Sequence, residues 1–246
     1  MRLFFTLIIS ILSLSSAPAQ AQTAAEILTM VDANLTFETR YSRATMTVVK
    51  PRRTKVYEFE SWGRGVETAA TEFLAPRRDV GTKMLKVGGE LWMYMPSIER
   101  VQKISGHMLR QGLMGSDLSY EDMLEFSSWQ EAYTAEVTGT EACGTGTCWV
   151  LDMQARVEDV SYPRRKVWVD QANYIPVRQE LYALSGMLLK EWLMEDVVQF
   201  GERYYPQRMI VRDTVQEGTS TTLEFSDLQF GEEVDQRVFE RRWLER

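Results

Sequence analysis

Hydrophobic and polar residues alternate along much of the chain from residue 43 onward. Met46 and Val48 alternate with threonines, and Tyr57 and Phe59 alternate with glutamates. Because neighbouring side chains of a strand point to opposite faces, this period of two predicts β-strands with one buried and one solvated face. The chain is therefore expected to be mainly β.

Four short turn sequences separate predicted strands. They are Gly88-Gly89, Gly144–Thr147, Ser185-Gly186 and Gln216–Gly218. Turns of this length join antiparallel neighbours, because a parallel connection needs a crossover of a dozen or more residues. We count about ten or eleven candidate strands and predict one antiparallel meander in a single domain, residues 22–246.

Two helical segments interrupt the strand pattern. Thr23 and Glu26 fit the capping box that begins a helix. The apolar face predicted for this helix consists of Ile27, Met30 and Val31. A second helical segment is predicted near residues 116–126, where Ser119 and Asp122 can cap a turn. Its apolar face consists of Tyr120, Met123 and Leu124.

Two predicted strands, residues 91–95 and 187–194, are apolar in both phases. A strand of this kind needs cover on both of its faces. In a mainly antiparallel protein with few helices, a curved sheet can provide that cover by wrapping around a helical lid. A sheet that wraps around a bound ligand provides it equally well.

The first residues of the chain are typical of a secretory signal peptide. Arg2 precedes an apolar run over residues 3–14, and Ala19-Gln20-Ala21 fits the small-x-small cleavage pattern. The apolar run is too short to span a membrane. We predict that residues 1–21 are cleaved and that a soluble chain without a lipid anchor remains outside the cytoplasm.

Cys143 and Cys148 flank a turn-forming tetrapeptide. In an oxidising compartment this arrangement favours a disulfide across a hairpin. The alternative is a redox or metal-binding pair, but the spacing is not C-x-x-C and the chain has no second cysteine pair.

Composition narrows the possible functions. Lys and Arg number 28 against 35 Asp and Glu, and this net charge of −7 argues against a nucleic-acid binder. The apolar fraction includes 13 Met, 7 Trp, 10 Tyr and 10 Phe. Because Met is adaptable and aromatic rings are large, this mixture suits either a plain core or a cavity for an apolar ligand.

Residues typical of catalysis or metal binding are scarce. The chain has one histidine, His107, and no G-x-S-x-G, Walker or G-x-G-x-x-G motif. Ser105 and Asp117 lie near His107 in sequence, which is weak support for a triad. Paired carboxylates such as Glu195-Asp196 are typical of a solvated face. We therefore expect no enzymatic activity, no cofactor and no metal.

The tripeptide Pro-Arg-Arg occurs three times, at residues 51–53, 76–78 and 163–165. Each copy lies where a predicted strand begins or ends. One interpretation is a turn proline followed by solvated arginines. The other is a positive rim that meets phosphate head groups or an acidic partner.

Two segments carry a resemblance to a known family. Residues 81–105, GTKMLKVGGELWMYMPSIERVQKIS, and residues 114–122, MGSDLSYED, resemble the signature of the outer-membrane lipoprotein-sorting protein family. This family is a branch of the LolA-like superfamily. The resemblance extends over nearly all of the chain after residue 21, with further matches at Val167–Asp170, Tyr174–Pro176, Lys190 and Phe239.

The resemblance implies a fold and a setting. It implies a curved antiparallel half-barrel whose concave side is plugged by a few helices and takes up acyl chains. It also implies a Gram-negative periplasm. The implied partners are lipoprotein or lipid acyl chains, an inner-membrane transporter of the resistance-nodulation-division or lipoprotein-releasing type, and an outer-membrane acceptor.

The expected function is a non-catalytic periplasmic lipid carrier; the alternative is a lipid-sensing module or an accessory subunit of an inner-membrane exporter. The candidate lipid-binding residues in the strands are Phe59, Trp62, Trp92, Tyr94, Trp168, Tyr182 and Trp192. The opposite phase of one strand offers Leu91, Met93 and Met95 instead. Residues 105–118, with Met108, Leu113 and Met114, are expected to form either a mobile flap or a long ordered loop.

Overall fold

The N-terminal helix is the first element of the computed structural model, which describes residues 22–124, 128–157 and 160–245. The predicted signal peptide lies outside these residues. Helix α1 spans Ala24–Leu35. It begins with the predicted capping box, because the Glu26 N–H donates to Thr23 Oγ1 over 3.3 Å and the Thr23 N–H donates to the Glu26 carboxylate over 2.8 Å.

The buried face of α1 differs from the prediction at one residue. Ile27, Leu28 and Val31 are buried, whereas Met30 is 44% exposed. The prediction for Met30 is therefore wrong. At about 100° per residue, Met30 lies roughly 100° around the helix from Val31, on the side away from Leu28.

Thirteen strands form one antiparallel sheet in the described residues. The bounds are β1 Thr39–Lys50, β2 Arg53–Arg64, β3 Thr68–Ala75, β4 Lys83–Val87, β5 Glu90–Met95, β6 Arg100–Ile104, β7 Tyr133–Cys143, β8 Gly146–Ala155, β9 Arg164–Asp170, β10 Pro176–Tyr182, β11 Leu188–Phe200, β12 Arg203–Asp213 and β13 Ser220–Phe230. The spatial order is β6-β5-β4-β3-β2-β1-β13-β12-β11-β10-β9-β8-β7. The sheet is thus two meanders that meet where β1 pairs with β13.

This sheet is curved and does not close, so the predicted antiparallel half-barrel is confirmed. The four predicted hairpin turns join β4 to β5, β7 to β8, β10 to β11 and β12 to β13, as expected. The strand count exceeds the prediction of ten or eleven. The edge strands illustrate why counting is difficult, because β7 is exposed over most of its length and lacks an alternating apolar face.

The second predicted helical segment is correct as a capped turn but not as a helix. The Ser119 N–H donates to Asp122 Oδ2 over 2.7 Å, and the Asp122 N–H donates to Ser119 Oγ over 3.2 Å. Residues 120–124 then form turns, and residues 125–127 lie outside the described part. Helix α2, Trp129–Ala132, is only four residues long.

The concave face of the sheet holds most of the buried apolar side chains. One core cluster lies between this face and residues 105–124, and a second lies between β8, β9 and helix α1. On the opposite, convex face a third cluster packs under two short 3₁₀ helices, Gln236–Phe239 and Arg241–Glu245. None of the helices in the described ranges has the length and apolar character that a membrane crossing requires.

Candidate functional site

Three adjoining cavities lie on the concave face of the sheet. They enclose about 720, 830 and 730 Å³ of empty space, which includes space open to solvent. Arg40 lines all three cavities, and Trp192, Tyr205 and Met209 line the second and the third. Because they share these side chains, the cavities form one connected site along the sheet.

The third cavity is the most apolar part of this site. It follows β1 from Arg40 to Met46, six residues or about 20 Å at the usual rise of a strand. The side chains that line it from neighbouring strands are Phe59, Phe73, Met84, Trp192, Met209, Leu223 and Phe225. Met and aromatic side chains therefore surround a space that is long enough for a chain-like ligand.

Residues 105–124 form a cover over this cavity. Leu113, Leu118 and Met123 of the cover line the cavity from above the sheet. The cover contains two 3₁₀ turns, Gly106–Arg110 and Leu113–Gly115, and it folds back on itself. One result is a 2.6 Å hydrogen bond that the Leu113 N–H donates to the Leu118 carbonyl.

A buried carboxylate holds one side of the cover to the sheet. The Asp117 side chain has no exposed surface and accepts a hydrogen bond from Lys50 Nζ at 3.0 Å. It also accepts from Thr219 Oγ1 at 2.6 Å and from Thr221 Oγ1 at 2.8 Å. These contacts fix the cover to the ends of β1 and β13.

A second buried carboxylate holds the other side. Asp122 accepts hydrogen bonds from Tyr162 Oη at 2.5 Å and from Lys190 Nζ of β11. Its side chain is 2% exposed and that of Lys190 is 11% exposed. Two ionic contacts thus hold the cover to the sheet as an ordered loop. The prediction that this segment moves as a flap stays a prediction.

Three of the predicted lipid-binding residues line the cavities. Phe59 and Leu113 line the third cavity, and Trp192 lines the second and the third. Met108 and Met114 of the cover pack against the same core cluster without lining the three cavities. Met114 has a positive φ of 52°, and its carbonyl accepts a hydrogen bond from Tyr57 Oη at 3.1 Å.

Three predicted aromatic residues lie on the convex face instead. Trp62, Trp92 and Tyr94 pack in the cluster under the C-terminal 3₁₀ helices. The Trp62 ring meets the Trp243 ring edge-on at 5.9 Å, and the Arg241 guanidinium lies 3.7 Å from the centre of the Trp92 ring. This placement corrects their assignment to the concave lining.

Trp168 and Tyr182 are also on the convex face. Trp168 Nε1 donates to Glu141, and the Arg178 guanidinium lies 4.5 Å from the centre of its ring. Tyr182 donates to Glu180, and burial together with this carboxylate raises the pKa of Tyr182 to about 12. Both rings therefore lie on the side of the sheet opposite the cavities, where Trp168 is buried and Tyr182 is half-buried.

The structure shows which side chains of β5 point to the concave face. Leu91, Met93 and Met95 pack in the concave core, and Leu91 lines the first cavity. Both faces of β5 are apolar because the cover protects one face and the C-terminal segment protects the other. Aromatic content in this strand therefore does not mark the cavity.

Sequence reasoning missed the polar part of the site. Arg40 Nη1 donates to Tyr205 Oη at 2.8 Å, and its Nε is buried without a hydrogen-bond partner. Lys86 lines the first cavity and donates from Nζ to the Val66 and Leu124 carbonyls, each at 3.1 Å. Burial lowers the pKa of Lys86 to about 8. The sequence signal that could have identified Arg40 is its position in the alternating pattern, because it lies on the same, inward side of β1 as Met46.

The cysteines and the histidine are arranged for structure rather than chemistry. Cys143 and Cys148 form the predicted disulfide, with their Cα atoms 5.8 Å apart. Asp170 lies close to both sulfurs, but disulfide sulfurs are not the thiolates that bind metals. His107 is exposed, and Asp117 is engaged by Lys50 and two threonines.

Comparisons with known proteins agree on the fold. A family model with the description "-like: Uncharacterized protein" matches residues 65–246. A DUF1329 family protein from Desulfovibrio piger is 22% identical, with a TM-score of 0.82 over 89% of this chain and 97% of that chain. No curated protein matches this chain.

Two further solved structures are similar to the chain. A LolA superfamily protein from Nitrosomonas europaea is 24% identical, with a TM-score of 0.75 over 91% of this chain and 100% of that chain. An outer membrane lipoprotein-sorting protein domain from Vibrio parahaemolyticus is 25% identical, with a TM-score of 0.80 over 90% of this chain and 98% of that chain. The chain belongs to the DUF1329-like family whose model matches residues 65–246, and it shares its fold with the LolA superfamily and lipoprotein-sorting structures.

Proposed function

We propose that this protein is a periplasmic carrier that binds acyl chains of lipoproteins or other lipids and hands them between membrane partners. The observation that carries the proposal is the connected cavity under the cover, lined by Phe59, Trp192, Met209 and other apolar side chains. An acyl chain is the ligand that suits a long apolar space with few polar groups.

The energetics of transfer favour such a site. Burial of a methylene group contributes about 0.8 kcal/mol, so a sixteen-carbon chain represents on the order of 12 kcal/mol relative to water. A bilayer stabilises the chain to a similar extent. A carrier therefore needs only bilayer-like burial, and the membrane partners supply the direction of transfer.

Methionine in the lining supports a variable cargo. Met46, Met84, Met123 and Met209 line the third cavity, and Met194 lines the second. An unbranched thioether side chain changes rotamer easily, so this lining can adjust to chains of different length.

The address and the partners belong to the same proposal. The predicted signal peptide, the disulfide and the name of the similar Vibrio parahaemolyticus domain support a location in the periplasm, with a lipoprotein or lipid as cargo. An inner-membrane transporter of the resistance-nodulation-division or lipoprotein-releasing type is the proposed donor, and an outer-membrane component is the proposed acceptor. The carrier works by binding alone, without covalent chemistry.

A cavity-blocking variant tests the proposal. Ser61 is buried and lines the first and third cavities, so Ser61→Phe should fill the space that the acyl chain needs. Glu58→Phe puts the same side chain on the exposed phase of the same strand. We expect a fluorescent fatty acid to bind the wild type and Glu58→Phe and to bind Ser61→Phe at least about tenfold more weakly. Equal binding to all three proteins would contradict the proposal.

A transfer assay separates the carrier from the alternative, a sensing module or exporter subunit. Both bind lipid, but only a carrier moves it. Labelled lipid should pass from donor to acceptor vesicles faster when the protein is present, in proportion to protein concentration. Saturable binding without any acceleration of transfer would favour the sensor.

A further inference from the structure

Arg40 is a cation on the inward phase of β1. Along this phase its neighbours Ser42, Ala44 and Met46 are almost completely buried. The guanidinium makes no ion pair among the described residues, and it has one side-chain partner, Tyr205. Arg40 Nε is buried and donates to no group. Such an unpartnered buried donor is rare, because a lost hydrogen bond to water is not replaced.

A second buried donor belongs to another side chain that lines the same space. Trp192 Nε1 is buried and has no hydrogen-bond partner, and Trp192 lines the second and third cavities together with Arg40. The described residues contain only two other buried side-chain atoms of this kind, Ser42 Oγ and Arg178 Nε. Both donors therefore belong to side chains that line one connected space.

The carboxylates near this space are engaged elsewhere. Asp122 accepts from Tyr162 and Lys190, and Asp32 accepts from Ser128 Oγ at 2.6 Å and from the N–H of Trp129. The first cavity adds the buried Lys86, which donates to the Val66 and Leu124 carbonyls. An anion that entered the cavity near Arg40 and Trp192 would meet two donors that have no acceptor.

We infer that Arg40 and Trp192 form a receptor for the anionic head group, a carboxylate or a phosphate, of a lipid whose tail lies in the third cavity. This inference rests on the proposed carrier function. Arg40 and Met46 both line the third cavity. A lipid whose head group lies at Arg40 can therefore extend its tail into the apolar part that Phe59, Phe73 and Leu223 form. Charge-assisted hydrogen bonds to such an anion are stronger than those between neutral groups.

Three ligands with one tail and different head groups test the receptor. Hexadecanoate, hexadecyl phosphate and 1-hexadecanol are compared by displacement of a neutral, environment-sensitive dye from the wild type, Arg40→Gln and Arg43→Gln. Arg43 is the matched control, because it lies on the exposed phase of β1 and pairs with Glu60. Inorganic phosphate alone is the fourth ligand.

We expect the wild type and Arg43→Gln to bind one or both anionic ligands at least about tenfold more tightly than the alcohol. Arg40→Gln should lose this preference and keep its affinity for the alcohol, which also shows that the variant is folded. The preferred anion distinguishes a carboxylate from a phosphate head group. Equal binding of all three ligands, unchanged in Arg40→Gln, would overturn the receptor and leave the carrier intact.

Two other results are decisive. Failure of the wild type to bind any of the three ligands would remove the carrier function itself. Displacement by inorganic phosphate as effective as that by hexadecyl phosphate would assign the site to a free anion and overturn the lipid head group.

A different observation concerns one end of the sheet, which we name the arginine end. In the antiparallel order, the connections β1–β2, β3–β4, β5–β6, β8–β9, β10–β11 and β12–β13 all lie at this end. The three Pro-Arg-Arg sequences therefore lie along the same rim of the sheet. Their exposed arginines are Arg52, Arg53, Arg77, Arg78 and Arg164, whereas Arg165 is buried.

Exposed apolar side chains lie on the same connections. Leu184 is 89% exposed, Val215 61%, Met187 53% and Ile98 53%. Neighbouring tips are tied together, because Thr214 Oγ1 donates to the Leu188 carbonyl over 2.7 Å. Among the arginines of this end, Arg78 pairs with Asp79 and Arg164 with Asp152, whereas no ion pair of Arg52, Arg53 or Arg77 is found in the described residues. Glu99 and Glu217 also lie on connections at this end, and the connections at the other end carry Glu67, Glu202, Glu232 and Glu233.

We also propose that the arginine end docks on an anionic membrane surface. Arginines attract phosphate head groups, and exposed Leu and Met side chains can enter the interface between head groups and acyl chains. The net charge of the whole chain is −7, so attraction to anionic lipid must come from a local patch. The attraction should weaken as salt screens it.

Sedimentation with vesicles tests this docking. The vesicles contain phosphatidylglycerol with phosphatidylethanolamine, or phosphatidylcholine alone. The rim variant replaces four arginines by serine: Arg52, Arg53, Arg77 and Arg78. The control variant removes the same charge from positions away from this end: Arg43, Arg208, Arg237 and Arg242.

We expect the wild type and the control variant to bind the phosphatidylglycerol vesicles and to be released by salt. The rim variant should bind them at least about tenfold more weakly. A Leu184→Asp variant should also bind these vesicles more weakly, because its side chain can no longer enter the interface. Absence of wild-type binding, or equal loss in the rim and control variants, would overturn the proposal.

Discussion

The ion pair between Asp122 and Lys190 should control how tightly the cover is held to the sheet. Both side chains are nearly buried, and Asp122 keeps hydrogen bonds from Tyr162 and from the Ser119 N–H. Removal of one partner from a buried ion pair costs about 3–5 kcal/mol, because the remaining charge loses its compensation. Since two hydrogen bonds to Asp122 remain, we expect Lys190→Met to destabilise the cover by about 3 kcal/mol.

Hydrogen exchange of the cover measures this effect. The amide of Ser119 donates to Asp122, that of Tyr120 to the Gln111 carbonyl and that of Glu121 to the Leu109 carbonyl. If these amides exchange through local opening, about 3 kcal/mol corresponds to roughly a hundredfold faster exchange. Amides of the central strands β1 and β2 should change far less.

The double variant Asp122→Asn/Lys190→Met checks the electrostatic reason. Asn removes the charge but keeps an acceptor oxygen for the Ser119 N–H and Tyr162, so no uncompensated charge remains and exchange of the cover should return towards the wild-type rate. An increase below about fivefold in Lys190→Met would refute the argument. So would a double variant whose cover opens more readily than that of the single variant.

Three further predictions concern the disulfide, a buried lysine and a crowded glycine. Replacement of Cys143 and Cys148 by serine should lower the free energy of unfolding by about 2 kcal/mol, because the disulfide closes a loop of only six residues. Urea unfolding measures this difference, and an unchanged free energy of unfolding would contradict the prediction. The pKa of Lys86 is about 8 in the folded protein and near 10.5 in the unfolded chain, so the unfolded state binds more protons between these values and stability should rise with pH there. Lys86→Met should abolish this rise in urea unfolding between pH 8 and 9.5, and an unchanged slope would assign the rise to other groups. A Cβ atom at Gly112 would lie 2.2 Å from the Ser116 carbonyl oxygen, so Gly112→Ala should speed hydrogen exchange in the cover. A Cβ atom at Gly139 meets no atom within 4 Å, so Gly139→Ala should leave this exchange unchanged. Equal exchange in the two variants would refute the crowding at Gly112.

The fold followed from the sequence because strand alternation and short turns are local signals. Met46, Tyr57 and Leu223 were placed on buried faces by their period alone, and the structure pairs Met46 with both of the others across β1, β2 and β13. A hairpin turn likewise needs no information from distant residues. These features are therefore readable without a structure.

The candidate site was harder to predict from the sequence, because its contacts connect distant parts of the chain. Asp117 accepts a hydrogen bond from Thr221, which lies 104 residues later in the sequence, and no local sequence pattern predicts that contact. Trp92 and Leu91 could not be told apart as lining residues, because the C-terminal segment that covers Trp92 lies some 150 residues away. Arg40 was detectable as a charge on the inward phase of β1, but a single charge at the start of a strand resembles an ordinary strand end.

An acyl chain should occupy the cavity between the sheet and the cover. Native mass spectrometry of the protein purified from its native cells, followed by extraction of bound lipid, tests this occupancy. We expect a non-covalent adduct whose extracted lipid carries an acyl chain, and loss of that adduct in Ser61→Phe. A lipid-free protein that also fails to take up a fluorescent fatty acid would contradict it.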